Sequence, residues 1–175
     1  MTKLLQKRLF AFLIDYLVIS LYAASLLGLT LLGYKIFDRA PTAPDPFVGQ
    51  LVGFFTLTLP VFAYFFITEK GKRKATIGKR KLKIQVETEA VSPTKNVLVR
   101  NILKLLPWEI AHTGVQWVVY YSNNNAEIPF WTWAVLIIPQ VAVVLYFFSI
   151  LFYKGESSFY DKIAKTRIAL TNEQQ

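Results

Sequence analysis

Two pairs of ionisable residues lie inside the most apolar parts of this sequence. Asp15 follows Arg8 by seven residues, which is two helical turns, so both would lie on one helix face. Glu109 and His112 are three residues apart and would share a face of another helix. A charge inside hydrocarbon is costly unless it faces protein or water, and such residues often bind a cation or exchange a proton. Asp15, Glu109 and His112 therefore form the candidate proton or ion site.

Each pair also has a purely structural interpretation. Arg8 and Asp15 could orient helices as an ion pair, and Glu109 with His112 could be a buried hydrogen-bonded pair. Glu-x-x-His is also the spacing by which one helix presents two metal ligands in di-iron bundles. Such a site needs ligands from other helices, and Asp15 is the one further carboxylate in an apolar run. We therefore assign no metal and no cofactor.

The composition is typical of a membrane protein. The chain has 175 residues, few enough for a single domain over 1–175, and its 54% hydrophobic content is high for a soluble protein. The net charge of +9 comes from basic residues beside apolar runs, which favours membrane topology over a nucleic-acid partner. There is no cysteine, no nucleophile-and-base arrangement and no phosphate-binding loop. We expect no enzymatic activity.

Four apolar segments are each long enough to cross a bilayer as a helix. They cover about residues 9–32, 47–67, 102–121 and 128–153. The third is the least apolar, because Lys104, Glu109 and His112 lie within it. The first is too long for a cleaved signal peptide and is interrupted by Asp15. The predicted fold is an all-α membrane protein with four transmembrane helices.

The basic residues predict how these helices are oriented. Lysine and arginine concentrate before the first span, in segment 68–101 and in tail 154–175, whereas the other two loops contain only Lys35 and Arg39. Basic loops stay on the cytoplasmic side, so the pattern predicts a multi-pass protein of the plasma membrane with both termini cytoplasmic. The aromatic residues that would then lie at the outer interface are Tyr120, Tyr121, Trp131 and Trp133.

The long basic loop, 68–101, is a candidate for binding anionic lipid headgroups or a protein partner. Its candidate binding residues are Lys70, Lys72, Arg73, Lys74, Lys79, Arg80, Lys81 and Lys83. Apolar and polar residues alternate over 82–86 and again over 166–170, which is the period of a half-buried strand. The pattern predicts a small cytoplasmic strand pair, although two unrelated amphipathic loops would give the same alternation.

The two halves of the chain show a weak internal similarity. Each half has an arginine entering a span that contains a carboxylate, then a more apolar span, then a Lys-Gly pair. The arginines are Arg8 and Arg100, and the pairs begin at Lys70 and Lys154. Two spans per half would give parallel repeats.

Three motifs, in this order, resemble the RDD family of small multi-pass membrane proteins. They are Arg8 with Asp15, the Thr-Ile-Gly-Lys-Arg run at 76–80, and the Tyr-Asp-Lys-Ile-Ala run at 160–164. The resemblance implies that the arginine and two aspartates of the family name are Arg8, Asp15 and Asp161. Glycines usual in the family are replaced by Lys83 and Lys165. The resemblance also implies a membrane protein for which cation/proton exchange has been suggested.

Taken together, these features predict a small transporter that handles cations or protons through intramembrane carboxylates. The alternative is a non-catalytic membrane module that binds protein partners or anionic lipid through the basic loop. Four spans are few for a transport pathway, so transport would need a homo-oligomer. We further expect Arg8 to pair with Asp161 at the cytoplasmic edge, and Asp15 to face a polar cavity.

Overall fold

The structure is a computed structural model that describes residues 2–39, 45–88 and 92–171. Parts of the basic loop (89–91) and of the tail (172–175) lie outside the described residues. The elements are, in chain order, α1 (Lys3–Ile36), α2 (Pro46–Gly53), a π-helical turn (Phe54–Thr58), α3 (Leu59–Lys70), α4 (Ile77–Lys81), β1 (Ile84–Thr88), α5 (Pro93–Asn123), α6 (Phe130–Phe152), α7 (Phe159–Ile163) and β2 (Thr166–Leu170). We use the name platform for α4, β1, α7 and β2.

Helix α1 is longer than the span predicted over 9–32. Its 34 residues extend about 51 Å, whereas a bilayer's hydrocarbon is about 30 Å thick. The helix begins where the Thr2 side chain accepts a hydrogen bond from the backbone N–H of Leu5. The buried residues of α1 lie on one face of its first four turns and are Leu5, Arg8, Ala11 and Asp15. That face packs on the platform.

Helix α2, the π turn and α3 form one continuous helix, Pro46–Lys70. The backbone N–H of Leu59 bonds to the carbonyl of Phe54 five residues earlier, so the π turn takes up one extra residue. In a regular α-helix Gln50 and Thr58 would point about 80° apart. The extra residue brings these two polar side chains towards one face, which is the face turned to α5.

Three prolines, Pro60, Pro107 and Pro139, lie inside long helices and lack a backbone donor, and a tyrosine from a neighbouring helix compensates for the first two. Pro60 cannot donate to the carbonyl of Thr56, and the Tyr22 hydroxyl donates to that oxygen. Pro107 likewise leaves the carbonyl of Leu103 without its helical donor, and the Tyr146 hydroxyl donates to it at 3.2 Å. The first bond joins α1 to the π turn and the second joins α6 to α5.

Three helices are long and apolar enough to cross a membrane. They are Lys3–Ile36, Pro46–Lys70 and Phe130–Phe152, with mean hydropathies of 2.0, 1.9 and 2.5. Most of their large apolar side chains are exposed, as expected for helices that face lipid. Helix α5 has the length of a span but carries polar and charged residues along it. The four-span arrangement therefore remains a prediction.

The predicted strand pair is confirmed. Strands β1 and β2 are antiparallel, with Ile84 opposite Leu170 and Thr88 opposite Thr166. Two strands alone are marginal, and this pair gains its stability from packing. Ile84, Val86 and Ile168 are buried together with Ala11 of α1. The sheet is thus attached directly to the first long helix.

The two halves of the platform have the same local construction. A short helix capped by a hydroxyl side chain precedes each strand, with Thr76 at the start of α4 and Ser158 at the start of α7. Each strand also bonds back to the loop before its short helix, through Val86 N–H to Lys74 O (2.8 Å) and Ile168 N–H to Glu156 O (2.7 Å). The internal similarity of the sequence corresponds here to a repeated structural unit.

Lys83 and Lys165 precede the two strands in the left-handed backbone region, with φ of 54° and 52°. These are the two positions where the resembled family usually has glycine. A residue with a Cβ pays about 1–2 kcal/mol for this conformation, so Lys165→Gly should raise the free energy of unfolding by about 1 kcal/mol. The matched control is Lys162→Gly inside α7, which should lower it by about 1 kcal/mol. Chemical unfolding in detergent measures both, and a loss of stability in Lys165→Gly would contradict the backbone argument.

Candidate functional site

Asp161 lies at the centre of a buried charge network where the long helices meet the platform. It occupies the first turn of α7, and its carboxylate accepts a hydrogen bond from the backbone N–H of Ser158 at 2.9 Å, which completes a capping box. Arg8 of α1 donates to Oδ2 at 2.5 Å. Arg100 of α5 donates to Oδ1, and Thr166 of β2 donates to the same oxygen at 3.2 Å. One fully buried carboxylate therefore joins α1, α5, α7 and β2.

Glu69, in the last turn of α3, is the second carboxylate of this network and is also buried. Its Oε1 accepts from the Lys79 ammonium at 2.6 Å. Its Oε2 accepts from Arg100 Nε at 3.0 Å and from the Asn101 amide at 3.1 Å. Arg100 thus bridges Glu69 and Asp161, and three buried cations surround two buried carboxylates.

The Asp161 carboxyl is fixed in its ionised form by this arrangement. Burial alone would raise the pKa of Asp161, but the guanidinium groups of Arg100 and Arg8 outweigh burial and hold that pKa below its usual value. The resulting stabilisation is fully present above the unfolded pKa of about 3.9 and is lost as the pH falls through the lower folded pKa. A carboxylate that stays ionised in this way is better suited to holding the helices and the platform together than to exchanging protons near neutral pH.

Asp15 is buried, with 3% of its surface exposed, and lies against the start of α4. Its carboxylate accepts from the Tyr64 hydroxyl at 2.7 Å, the Thr76 hydroxyl at 2.6 Å and the Gly78 N–H at 2.9 Å. The expectation that Asp15 faces a polar cavity is wrong, because α4 and Tyr64 fill the space beside it. The expected ion pair between Arg8 and Asp161 is present.

All three hydrogen-bond partners of Asp15 donate to it, and two of them are also held from a second side. The hydroxyl of Tyr64 accepts from Ile77 at 3.1 Å, and that of Thr76 accepts from Lys79 at 3.3 Å. Each hydroxyl thus accepts a backbone N–H while its own hydrogen is directed to Asp15. Asp15 is an anchor that holds α4 against α1.

Glu109 has a different environment, in the apolar part of α5. The Gln50 amide nitrogen donates to Oε1, and the Thr58 hydroxyl donates to Oε2 at 2.6 Å. Both partners are neutral side chains of the helix Pro46–Lys70. Within residues 2–39, 45–88 and 92–171, no lysine, arginine or histidine forms an ion pair with Glu109. Among these residues the Glu109 carboxylate therefore has no ion-pair partner, and the same is true of Asp15.

His112 lies one turn further along α5 and packs over Gly53. A Cβ at Gly53 would overlap the imidazole ring, so the absent side chain lets the two helices meet here. The Gln116 amide nitrogen lies 3.2 Å from His112 Nε2. In the part of the chain that the structure describes, His112 Nδ1 and Gln50 Oε1 have no hydrogen-bond partner. Both atoms could still form a hydrogen bond. Gln50 Oε1 belongs to the amide that donates to Glu109, and His112 follows Glu109 by about one helical turn.

The alternative of a hydrogen-bonded Glu109–His112 pair does not match this geometry, because the carboxylate and the ring bond to other residues. Among the described residues there is also no group of three or more His, Cys, Asp or Glu side chains placed to hold a metal ion. The two residues belong to a mixed polar cluster with Gln50, Thr58 and Gln116. A single-helix spacing rule could not identify partners that come from another helix.

Most of the predicted basic surface is exposed. The exposed members are Lys70, Lys72, Arg73, Lys74, Arg80, Lys81 and Lys83. Lys79 was predicted to belong to this surface, and that assignment is wrong, because Lys79 is buried and paired with Glu69. Glu69 is a further site residue, one that no motif in the sequence predicted. Its position at the end of an apolar run, before a Lys-Gly pair, was the available signal.

These features define a helical membrane protein whose apolar helices are joined to a small mixed platform by buried ion pairs. The chain belongs to the RDD family, whose model matches residues 3–165, nearly its whole length. RDD proteins are membrane proteins. No curated protein and no solved structure matches the chain.

Proposed function

We propose that this RDD protein is a non-enzymatic, multi-pass transporter of the plasma membrane that handles protons or cations through Glu109. In this proposal α5 is the fourth span and both termini are cytoplasmic, which puts the platform on the cytoplasmic side. The single observation that carries the proposal is that Glu109, in the apolar part of α5, is bonded by two neutral side chains, one of which, Gln50, keeps an amide oxygen without a partner among the described residues. A carboxylate in an apolar region without a fixed counter-charge needs a proton or a mobile cation to balance it.

Both partners of Glu109 suit a group that changes its protonation state. Gln50 donates through its amide nitrogen to the carboxylate, and a half-turn of the same amide would present Oε1 as an acceptor for a protonated carboxyl. Thr58 can donate or accept through its hydroxyl. The hydrogen bonds of Glu109 can therefore be satisfied in both its charged and its neutral form. Asp15 differs in that one of its partners, the backbone N–H of Gly78, can only donate.

The position of Glu109 along α5 also supports the proposal. Glu109 lies nine residues beyond Arg100, which is about 13 Å along the helix axis. Arg100 belongs to the charge network at the platform, so Glu109 would lie near the middle of hydrocarbon about 30 Å thick. A binding group near mid-bilayer is what exchange between two sides requires. Because four helices are few for enclosing a transport pathway, we propose that the protein functions as a homo-oligomer.

The test is flux into proteoliposomes that contain a pH-sensitive dye, with an imposed gradient of protons, Na⁺ or K⁺. Glu109→Gln keeps the shape of the side chain and removes its charge, so this variant should fold as the unchanged protein does and lose coupled proton movement. The matched control is Glu87→Gln, which alters a carboxylate on the platform and should leave flux unchanged.

Flux in the Glu109→Gln variant equal to that of the unchanged protein would contradict the assignment of Glu109. Absence of flux in the unchanged protein under every gradient would contradict the transport function itself. Size-exclusion profiles and circular dichroism of both variants separate these outcomes from a loss of folded protein.

A further inference from the structure

We propose that the outer faces of α4 and α7 bind the headgroups of anionic phospholipids in the leaflet next to the platform. This surface differs from the continuous basic loop of the sequence, because it combines residues from both halves of the chain. It is also independent of the transport site at Glu109.

The two short helices divide their residues between inside and outside in the same way. In α4, Gly78 and Lys79 are buried, whereas the exposed residues are Ile77, Arg80 and Lys81. In α7, Tyr160 and Asp161 are buried, whereas the exposed residues are Phe159, Lys162 and Ile163. Each helix therefore presents an exposed apolar residue in its first turn. Two exposed basic residues follow it in α4 and one follows it in α7. That combination is typical of helices at a membrane surface.

Hydrogen bonds place the first turns of both helices beside apolar parts of the long helices. The Phe159 N–H donates to the Ser149 hydroxyl at 3.1 Å, and Ser149 lies three residues before α6 ends. The Ile77 N–H donates to the Tyr64 hydroxyl at 3.1 Å, and Tyr64 lies within α3. Ile77 and Phe159, 45% and 44% exposed, are thus level with side chains that contact hydrocarbon.

In both short helices an exposed basic residue follows the exposed apolar one by about one helical turn, so both lie on the same helix face. Arg80 and Lys81 follow Ile77, and Lys162 follows Phe159. The carboxylates on and next to the platform do little to neutralise these charges, because Asp15, Glu69 and Asp161 are buried and Glu87 is paired with Arg167. Glu156, in the loop before α7, is exposed.

Anionic lipid fits this surface better than an acidic soluble protein does. The exposed apolar residues lie at the level of the long helices, where a soluble partner would first have to displace lipid. A phospholipid provides both halves of the required chemistry, with acyl chains beside Ile77 and Phe159 and a phosphate beside the cations. Additional attraction comes from the neighbouring exposed cations at 70–74.

The experiment is native mass spectrometry of the full-length protein in micelles that contain equal amounts of phosphatidylglycerol and phosphatidylcholine. The unchanged protein should retain phosphatidylglycerol in preference to phosphatidylcholine. The triple variant Arg80→Gln, Lys81→Gln, Lys162→Gln should reduce that preference about tenfold or more, because each cation contributes to headgroup binding. The matched control is Lys35→Gln with Arg39→Gln, which alters exposed cations at the opposite end of α1 and should retain the preference.

An unchanged lipid preference in the triple variant would overturn the proposal, and so would an equal loss in the control variant. An acidic protein as the true occupant would give the first of these results. Thermal unfolding of each variant in neutral detergent verifies that the substitutions leave the fold intact, as expected for exposed side chains.

Discussion

Asp161→Asn is expected to lower the free energy of unfolding by about 3–5 kcal/mol, the usual cost of removing one partner from a buried ion pair. Arg8 and Arg100 would both remain buried while losing the carboxylate that they share. The asparagine amide would also present hydrogens where the guanidinium groups require acceptors. Chemical unfolding of the purified protein in detergent, followed by tryptophan fluorescence, measures the change.

The matched control for Asp161→Asn is Glu87→Gln, which breaks the ion pair between Glu87 and Arg167. In that pair the arginine side chain is 53% exposed, so the loss should stay below about 1 kcal/mol. Acidification offers a second test. The unchanged protein should lose stability as the pH falls below about 4, and Asp161→Asn should show a smaller loss. Equal stabilities of the two variants would contradict the central role of Asp161.

Gly78→Ala should have the second largest effect, through shape alone. A Cβ at Gly78 would overlap the carbonyl oxygen of Ala11 in α1, and a backbone oxygen inside a helix cannot move aside. Helix α4 would have to shift away from α1, which would stretch the three hydrogen bonds to Asp15. We expect a loss of about 3 kcal/mol, at the upper end for overpacked sites. The yield of folded protein by size-exclusion chromatography and the thermal midpoint measure it.

The matched control for Gly78→Ala is Gly28→Ala, the same substitution at a helical glycine of α1. A Cβ at Gly28 meets nothing within 4 Å, and alanine is the better helix former. This variant should be as stable as the unchanged protein or slightly more stable. A loss in Gly28→Ala as large as that in Gly78→Ala would show that the contact between α4 and Ala11 has no special role.

The features that the sequence predicts well are those with a local physical signal. Apolar length predicted the three long helices, and the two-residue alternation at 82–86 and 166–170 predicted both strands. The pairing of Arg8 with Asp161 followed from placing both at one edge of the membrane. The helices and strands needed only the residue types and a period, whereas the pairing of Arg8 with Asp161 also needed the predicted topology and the resemblance to the RDD motifs.

The features that were missed depend on distant partners. Asp15 was expected in a cavity, but its three donors come from residues 49 to 63 positions away in the chain. The environment of Glu109 depends on Gln50 and Thr58, and the π turn that brings these two side chains towards one face has no sequence period of its own. Lys79 looked like one more surface lysine, because nothing local marks it as the partner of Glu69.

The ion pair between Arg8 and Asp161 can form only late in the synthesis of the chain. The two residues are separated by 153 positions in the chain. At about 5–20 residues per second on the ribosome, Arg8 waits roughly 8–30 s for its carboxylate. During that interval Arg8 lacks the carboxylate that pairs with it in the finished protein, so the contact between α1 and α7 cannot form until α7 has been synthesised. We expect a nascent chain that ends before α7 to hold α1 less firmly than the full chain does.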